Sequence, residues 1–145
     1  NGQEAVDAVK ESWEKYLIDP SSGRFDIILM DCLMPVMDGW EATETIRTIE
    51  AKYLEEAESK ADDFPLFLDA RPTIVLALTA NATSEDKLRC NECGMDDHYI
   101  KPLPRDGLNA MMLHWIGKLF ADSISGSSST SSSCHSPRNS KRLDS

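Results

Sequence analysis

Two short apolar runs, Phe25 to Met30 and Thr73 to Thr79, predict strands buried on both faces. A third run, from Met95 to Lys101, holds a further short strand. Apolar runs of this length, bounded by turn residues, are typical of strands in a parallel sheet. Each run ends at a polar side chain, because Asp31 follows the first run while Thr79 and Lys101 end the second and third.

Helical periodicity lies between these runs. Apolar residues recur at helical spacing from Ala5 to Leu17 and again, as the clearest stripe in the chain, from Leu108 to Phe120. A helix is expected to begin after Asp38, which suits the N-cap position. Another is expected near Thr83 and Asp86, which are spaced as a capping box. Alternating strands and helices predict an α/β fold with a parallel sheet.

Composition and charge exclude several classes of function. The net charge of −10 argues against nucleic acid as a direct partner. No apolar run approaches the roughly 18 residues that a membrane span needs, and the first residues do not form a signal peptide. The four cysteines suggest no disulfide framework, which favours a reducing, cytoplasmic or other intracellular location. Cys90 and Cys93 have metal-ligand spacing, but without a second such pair they are interpreted as two half-buried helix thiols.

The three strand ends suggest phosphoryl chemistry. In adjacent parallel strands, Asp31, Thr79 and Lys101 would meet at one edge of the sheet, with neighbouring strands about 5 Å apart. A carboxylate that attacks a phosphoryl donor gains negative charge, which an ammonium group can neutralise. A neighbouring hydroxyl can bond to a phosphoryl oxygen only after transfer and would therefore report the modification.

The string from Phe25 to Gly39, FDIILMDCLMPVMDG, resembles the phospho-acceptor segment of receiver domains in two-component signalling. The strings around Thr79 and Lys101-Pro102 match that family too. The resemblance implies a flavodoxin-like, doubly wound parallel sheet. It also implies that Asp31 takes a phosphoryl group from a histidine kinase or a histidine phosphotransfer protein, with Thr79 and Lys101 reading the modification. A receiver of a hybrid histidine kinase fits better than a transcriptional regulator, although the chain contains no kinase domain, so enzymatic activity is left open.

Several departures from the family pattern accompany the resemblance. The chain is expected to lack the first two strands and the first helix of the fold, which would leave the strand before Asp31 at an edge. The family's Mg²⁺ is held by Asp31, the backbone carbonyl of Leu33 and an acidic pair that is absent from this chain, so weak, at best millimolar, Mg²⁺ binding is expected. His98 stands where the family has an aromatic switch residue, and Tyr99 follows it on the opposite face of the strand.

The predicted organisation is a partial receiver domain over residues 1–122 and a disordered, Ser-rich tail over residues 123–145. Residues from about 53 to 72 are interpreted as an insertion, partly helix and partly loop. The alternative is a degenerate pseudo-receiver or truncated gene product, which would act as a protein-interaction module without taking phosphate.

Overall fold

Strands and helices alternate in the computed structural model, which describes residues 1–125. The strands are β1 (Ile27–Asp31), β2 (Ile74–Thr79) and β3 (Asp97–Ile100). The helices are α1 (Gly2–Ile18), α2 (Gly39–Lys60), α3 (Ser84–Glu92) and α4 (Arg105–Ser125), with short 3-10 helices at Pro20–Ser22 and Pro65–Asp69. None of the helices in this part of the chain combines the length and apolarity that crossing a membrane requires.

The three strands form one parallel sheet in the order β1-β2-β3. Asp31 pairs with Leu78, and Thr79 pairs with Ile100, so the carboxyl ends of all three strands lie at the same edge of the sheet. This arrangement confirms the predicted doubly wound α/β architecture. Within residues 1–125, β1 is an edge strand, as expected for a receiver fold represented by only three strands.

Side-chain caps determine where the helices begin. Asn1 and Glu4 form a reciprocal capping box at α1. Asp38 caps α2, since its carboxylate accepts a hydrogen bond from the backbone N–H of Glu41 at 2.9 Å. Thr83 caps α3 by accepting from the N–H of Asp86 at 3.1 Å, and its hydroxyl donates to the Asp86 carboxylate at 2.8 Å.

The main core lies on the face of the sheet that α1 and α2 cover. It includes Met30 and Cys32 at the end of β1 and Val75 and Ala77 of β2. Trp13 of α1 is fully buried there, edge-on to Tyr16 and stacked on Tyr53. Trp13 and Trp40 are thus core residues, and Trp115 is buried as well. Cys90 and Cys93 are free thiols that are fully buried rather than half-buried.

The segment interpreted as an insertion contains both helix and loop. α2 continues beyond Tyr53 to Lys60, and the 3-10 helix Pro65–Asp69 places Phe67 edge-on to Tyr16 in the core. The Tyr16 hydroxyl also donates to the carbonyl of Leu66 at 3.2 Å. These contacts attach the segment to α1, while its status as an insertion stays a prediction.

The chain divides into two units, Asn1–Leu108 and Asn109–Ser145, and α4 begins in the first of them. In the second unit, α4 exposes Leu113, Ile116 and Phe120. Residues 123–125 belong to α4. The rest of the predicted disordered tail lies outside the described residues.

Candidate functional site

Asp31 and Lys101 form an ion pair at the carboxyl edge of the sheet. Asp31 is the last residue of β1, and Lys101 directly follows β3, with the Lys101–Pro102 peptide bond in the cis form. The Lys101 Nζ donates to Asp31 Oδ2 at 2.5 Å across the end of β2. The Asp31 and Lys101 side chains keep 37% and 41% of their surface exposed, so both groups can be reached from solvent.

Two hydrogen bonds hold the Asp31 carboxylate in its ionised form. The bond from Lys101 is the main reason why the pKa of Asp31 lies below its usual value. Partial burial opposes this shift, and the backbone N–H of Leu33, which donates to Oδ1 at 3.2 Å, contributes to it. The group is therefore available as an anionic nucleophile at neutral pH.

Thr79 lies at the same edge of the sheet. The hydrogen bonds that the structure describes for its hydroxyl are with Asn81 rather than with the Asp31 carboxylate. Its hydroxyl donates to the carbonyl of Asn81 at 2.7 Å and accepts from the Asn81 N–H at 3.3 Å. Its carbonyl accepts from the backbone N–H of Lys101 at 2.8 Å, which connects the ends of β2 and β3. Thr79 is thus positioned next to the ion pair, with its hydroxyl engaged in its own turn.

His98 shares a face of the sheet with Thr79. It pairs in register with Ala77, two residues before Thr79, and successive side chains of a strand point to opposite faces. Tyr99 therefore lies on the other face, as the sequence predicts. The backbone N–H of His98 donates to the Asp97 carboxylate at 2.8 Å.

The loop that follows Asp31 is closed by backbone hydrogen bonds. The N–H of Gly39 donates to the carbonyl of Cys32 at 3.0 Å, which seats the first turn of α2 against the end of β1. A side chain at position 39 would collide with the Asp31 carbonyl, so only glycine fits this close approach. The sequence predicts a helix start after Asp38 but gives no sign of this close approach.

Leu33 and Val36 expose their side chains close to Asp31, which the sequence did not reveal. Their side chains are 71% and 88% exposed, within five residues of Asp31. Val36 has a φ of +73°, and the sequence around it does not predict a positive φ. A glycine or asparagine at position 36 would have indicated this conformation, whereas valine is among the residues least suited to a positive φ.

The described residues do not by themselves provide a Mg²⁺ site. Among residues 1–125, no three His, Cys, Asp or Glu side chains are grouped to hold a metal ion. Both oxygens of Asp31 accept hydrogen bonds, and Asp38 serves as the cap of α2. Asp96 and Asp97 lie at the opposite end of β3 from Lys101. One carboxylate and the Leu33 carbonyl are fewer ligands than Mg²⁺ usually takes from protein and substrate.

The chain is similar in sequence to histidine kinases, although no family model matches it. It is 37% identical over 114 residues to hybrid signal transduction histidine kinase B of Dictyostelium discoideum, covering 78% of this chain and 5% of that protein. It is 41% identical over 85 residues to histidine kinase 1 of Arabidopsis thaliana, covering 59% of this chain and 6% of that protein. The chain therefore spans only a small part of the length of these relatives.

Receiver domains are among the solved structures similar to this one. The receiver domain of the Arabidopsis thaliana histidine kinase CKI1, crystallised with Mg²⁺, has a TM-score of 0.59 and 28% identity, covering 78% of this chain and 69% of that one. The receiver domain of Saccharomyces cerevisiae Ssk1, crystallised with the histidine phosphotransfer protein Ypd1, has a TM-score of 0.58 and 29% identity, covering 79% and 66%. The parallel sheet, the Asp31–Lys101 pair at its edge and these likenesses show that the chain belongs to the receiver-domain family of two-component signalling, as found in hybrid histidine kinases.

Proposed function

We propose that Asp31 accepts a phosphoryl group from a phosphohistidine and so relays a two-component signal. The observation that carries this proposal is the Asp31–Lys101 ion pair at the carboxyl edge of the parallel sheet. It combines an exposed anionic nucleophile with a cation that can neutralise the charge arriving with the phosphoryl group. The donor is a histidine kinase or a histidine phosphotransfer protein, the class of partner with which the Ssk1 receiver was crystallised.

The transfer is a displacement at phosphorus. One oxygen of the Asp31 carboxylate attacks the phosphorus atom, the bond from phosphorus to the imidazole nitrogen breaks, and the imidazole leaves with the bonding electron pair. The product is an acyl phosphate on Asp31 and a free histidine on the donor. Lys101, already hydrogen-bonded to the carboxylate, then moves its ammonium group to a phosphoryl oxygen.

Thr79 is proposed to change its hydrogen bonding when Asp31 is phosphorylated. Its hydroxyl donates to the carbonyl of Asn81 and can exchange this acceptor for a phosphoryl oxygen, which carries more negative charge. The exchange would release the turn between Thr79 and Asn81 and alter the face on which His98 lies. His98 is the proposed second switch residue on that face.

Mg²⁺ is proposed to bind this chain weakly, with Asp31 and the Leu33 carbonyl as its contribution to the site. The CKI1 receiver was crystallised with this ion. The residues that the structure describes do not complete a site for the ion.

Labelling with a small phosphodonor tests the proposal. The chain is incubated with phosphoramidate and Mg²⁺, and the site of any added phosphoryl group is located by mass spectrometry. Labelling is expected at Asp31, and it should be lost from Asp31→Asn and removed by hydroxylamine, which cleaves acyl phosphates. Asp26→Asn is the matched control, because Asp26 is an exposed carboxylate at the other end of the same run and should not affect labelling.

Two results would contradict the proposal. One is phosphate that persists in the Asp31→Asn variant, which would place the acceptor elsewhere. The other is the absence of labelling in the unmodified chain at high donor concentration and at Mg²⁺ concentrations well above the millimolar range, which would support a receiver-like interaction module that takes no phosphate.

A further inference from the structure

The segment between α2 and β2 exposes apolar side chains on a backbone that is anchored in the core. Phe64 and Leu66 are 60% and 64% exposed. Phe67, which follows Leu66, is 4% exposed and packs edge-on against Tyr16, with the ring centroids 5.4 Å apart. Phe64 packs edge-on against Phe67 in turn, with the centroids 6.2 Å apart. One buried ring thus anchors two exposed apolar neighbours.

Backbone hydrogen bonds fix the shape of this segment. The N–H of Phe64 donates to the carbonyl of Lys60 at 2.9 Å, and the N–H of Phe67 donates to the carbonyl of Phe64 at 3.0 Å. The N–H of Ala70 closes the segment by donating to the carbonyl of Phe67 at 3.1 Å. Because the backbone is already ordered, a partner that binds Phe64 and Leu66 does not have to order a loop.

The exposed apolar pair lies in an acidic part of the chain. It is bordered by three exposed carboxylates, those of Asp62, Asp63 and Asp69. The neighbouring cations have carboxylate partners outside this set, since Lys60 pairs with Glu56 at 3.0 Å and Arg71 pairs with Asp26 at 3.5 Å. The segment therefore presents apolar side chains within a negatively charged surface, in a chain whose net charge is −10.

A cavity of about 310 Å³ lies beside this segment, between the end of α2 and the 3-10 helix. It is lined by Leu54, Glu58, Ala61, Phe67 and Ala70. Of these lining residues, Glu58 is charged and the others are apolar. A lysine or arginine side chain has an aliphatic stem and a charged head. The cavity suits such a side chain, because the stem can lie along the apolar wall while the head pairs with Glu58.

We propose that Phe64, Leu66 and the bordering carboxylates form a docking surface for a basic amphipathic helix of a partner protein. The apolar face of that helix packs on Phe64 and Leu66, and its lysine or arginine side chains pair with the carboxylates. One of these basic side chains enters the cavity beside Glu58. Charge selects this occupant, because a second copy of the chain, a nucleic acid or an anionic membrane would bring negative charge to a negative surface.

This docking surface is separate from the Asp31–Lys101 pair. The segment precedes β2, whose first residue, Ile74, pairs with Ile27 at the start of β1, whereas Asp31 ends β1. A helix docked at the segment therefore leaves the carboxyl edge of the sheet open. Docking at this surface does not require phosphorylation of Asp31, so a failure of phosphoryl labelling would not affect it.

Binding of a model peptide tests this surface. The probe is a fluorescently labelled peptide of about 15 residues in which leucine and lysine recur at helical spacing. A peptide of the same composition, in an order that forms no apolar face, carries the same charge and serves as its control. In fluorescence anisotropy titrations, the chain is expected to bind the amphipathic peptide at least about tenfold more tightly than the control peptide.

Substitutions in the chain locate the contact. Phe64→Ser and Leu66→Ser should each weaken binding of the amphipathic peptide about tenfold. Leu66→Ser also keeps the ring contact between Phe64 and Phe67, so it decides the test if Phe64→Ser does not fold. Leu88→Ser is the matched control, because Leu88 is 58% exposed on α3, three residues after Glu85. It should leave the affinity unchanged, and urea unfolding of each variant shows whether it is folded.

Three results would overturn the proposal. If the chain binds neither peptide, or binds both with equal affinity, the apolar pair does not recognise an amphipathic helix. If Leu66→Ser weakens binding no more than Leu88→Ser does, the peptide binds elsewhere. If sedimentation shows a dimer that Leu66→Ser dissociates, the surface belongs to a contact between two copies of the chain.

Discussion

Loss of the Arg47 side chain should destabilise the domain. Its guanidinium donates to the carbonyls of Gly94 and Thr73 at 2.9 and 2.7 Å. It also forms ion pairs with Glu50 at 2.7 Å and Asp96 at 3.0 Å. Arg47 thus joins the middle of α2 to the loop before β2 and the turn before β3.

The magnitude of the effect follows from the burial of Glu50. Its side chain is 1% exposed, and its other carboxylate oxygen accepts from the backbone N–H of Thr73 at 2.8 Å. Arg47→Met would leave this carboxylate without its cation, and removing one partner of a buried pair costs about 3–5 kcal/mol. Arg47 itself is 23% exposed, so water can partly replace it, and we expect a loss near the lower limit, about 3 kcal/mol. That is a large share of the roughly 5–15 kcal/mol that keeps a domain folded.

Urea unfolding followed by tryptophan fluorescence measures this loss. With a slope of about 1–3 kcal/mol per molar urea, Arg47→Met should lower the unfolding midpoint by about 1–3 M. Lys15→Met is the control, because Lys15 pairs with Glu11 at 2.7 Å on the exposed face of α1 and its loss should change stability little. Adding Glu50→Gln to Arg47→Met should recover part of the stability, since glutamine can still accept from the Thr73 N–H without a buried charge. Equal costs for Arg47→Met and Lys15→Met would refute this reasoning.

Two further predictions concern titrating groups. Lys101→Ala should raise the pKa of Asp31 towards its usual value, whereas Lys10→Ala should not, as carbon-detected NMR of the carboxyl group would show. Because pairing lowers the pKa of Asp31, its small stabilising effect should exist above the unfolded-state pKa and disappear as the pH falls through the folded-state value. Burial raises the pKa of the Cys32 thiol to about 12 and also raises the pKa of Cys93. Both thiols should therefore resist iodoacetamide at mildly alkaline pH in the folded chain and react in urea, and rapid alkylation of either one without urea would contradict their burial.

The sequence predicted those features that depend on local signals. The cap of α2 was predictable because it depends on residues only three positions apart, the Asp38 carboxylate and the backbone N–H of Glu41. Alternation and register likewise place Asp31 and Lys101 at one edge, since parallel strands that end on polar residues present them together. The exact start of β1 was not predictable in this way. Phe25 is apolar, yet β1 begins at Ile27, where pairing with Ile74 of β2 begins.

Long-range contacts explain most of what the sequence did not reveal. Arg47 and Asp96 are 49 positions apart, so no periodicity connects them, and each looks like an ordinary surface charge. The same holds for the burial of Glu50, which occupies a helix position that an exposed glutamate could equally fill. Their association becomes visible only when α2 is packed against the sheet.

The acceptor pair and the loop that follows Asp31 differ in how the chain specifies them. The sheet register brings Lys101 to Asp31, and register follows from the alternation of side chains along each strand. The turn at Val36 instead runs against local preference, because a β-branched residue is poorly suited to a φ of +73°. Backbone hydrogen bonds hold this loop, one from the N–H of Gly2 to the Met37 carbonyl and one from the N–H of Gly39 to the Cys32 carbonyl. The strand patterns alone therefore predict the acceptor pair, whereas the turn becomes visible only when α1 and α2 are packed around the loop.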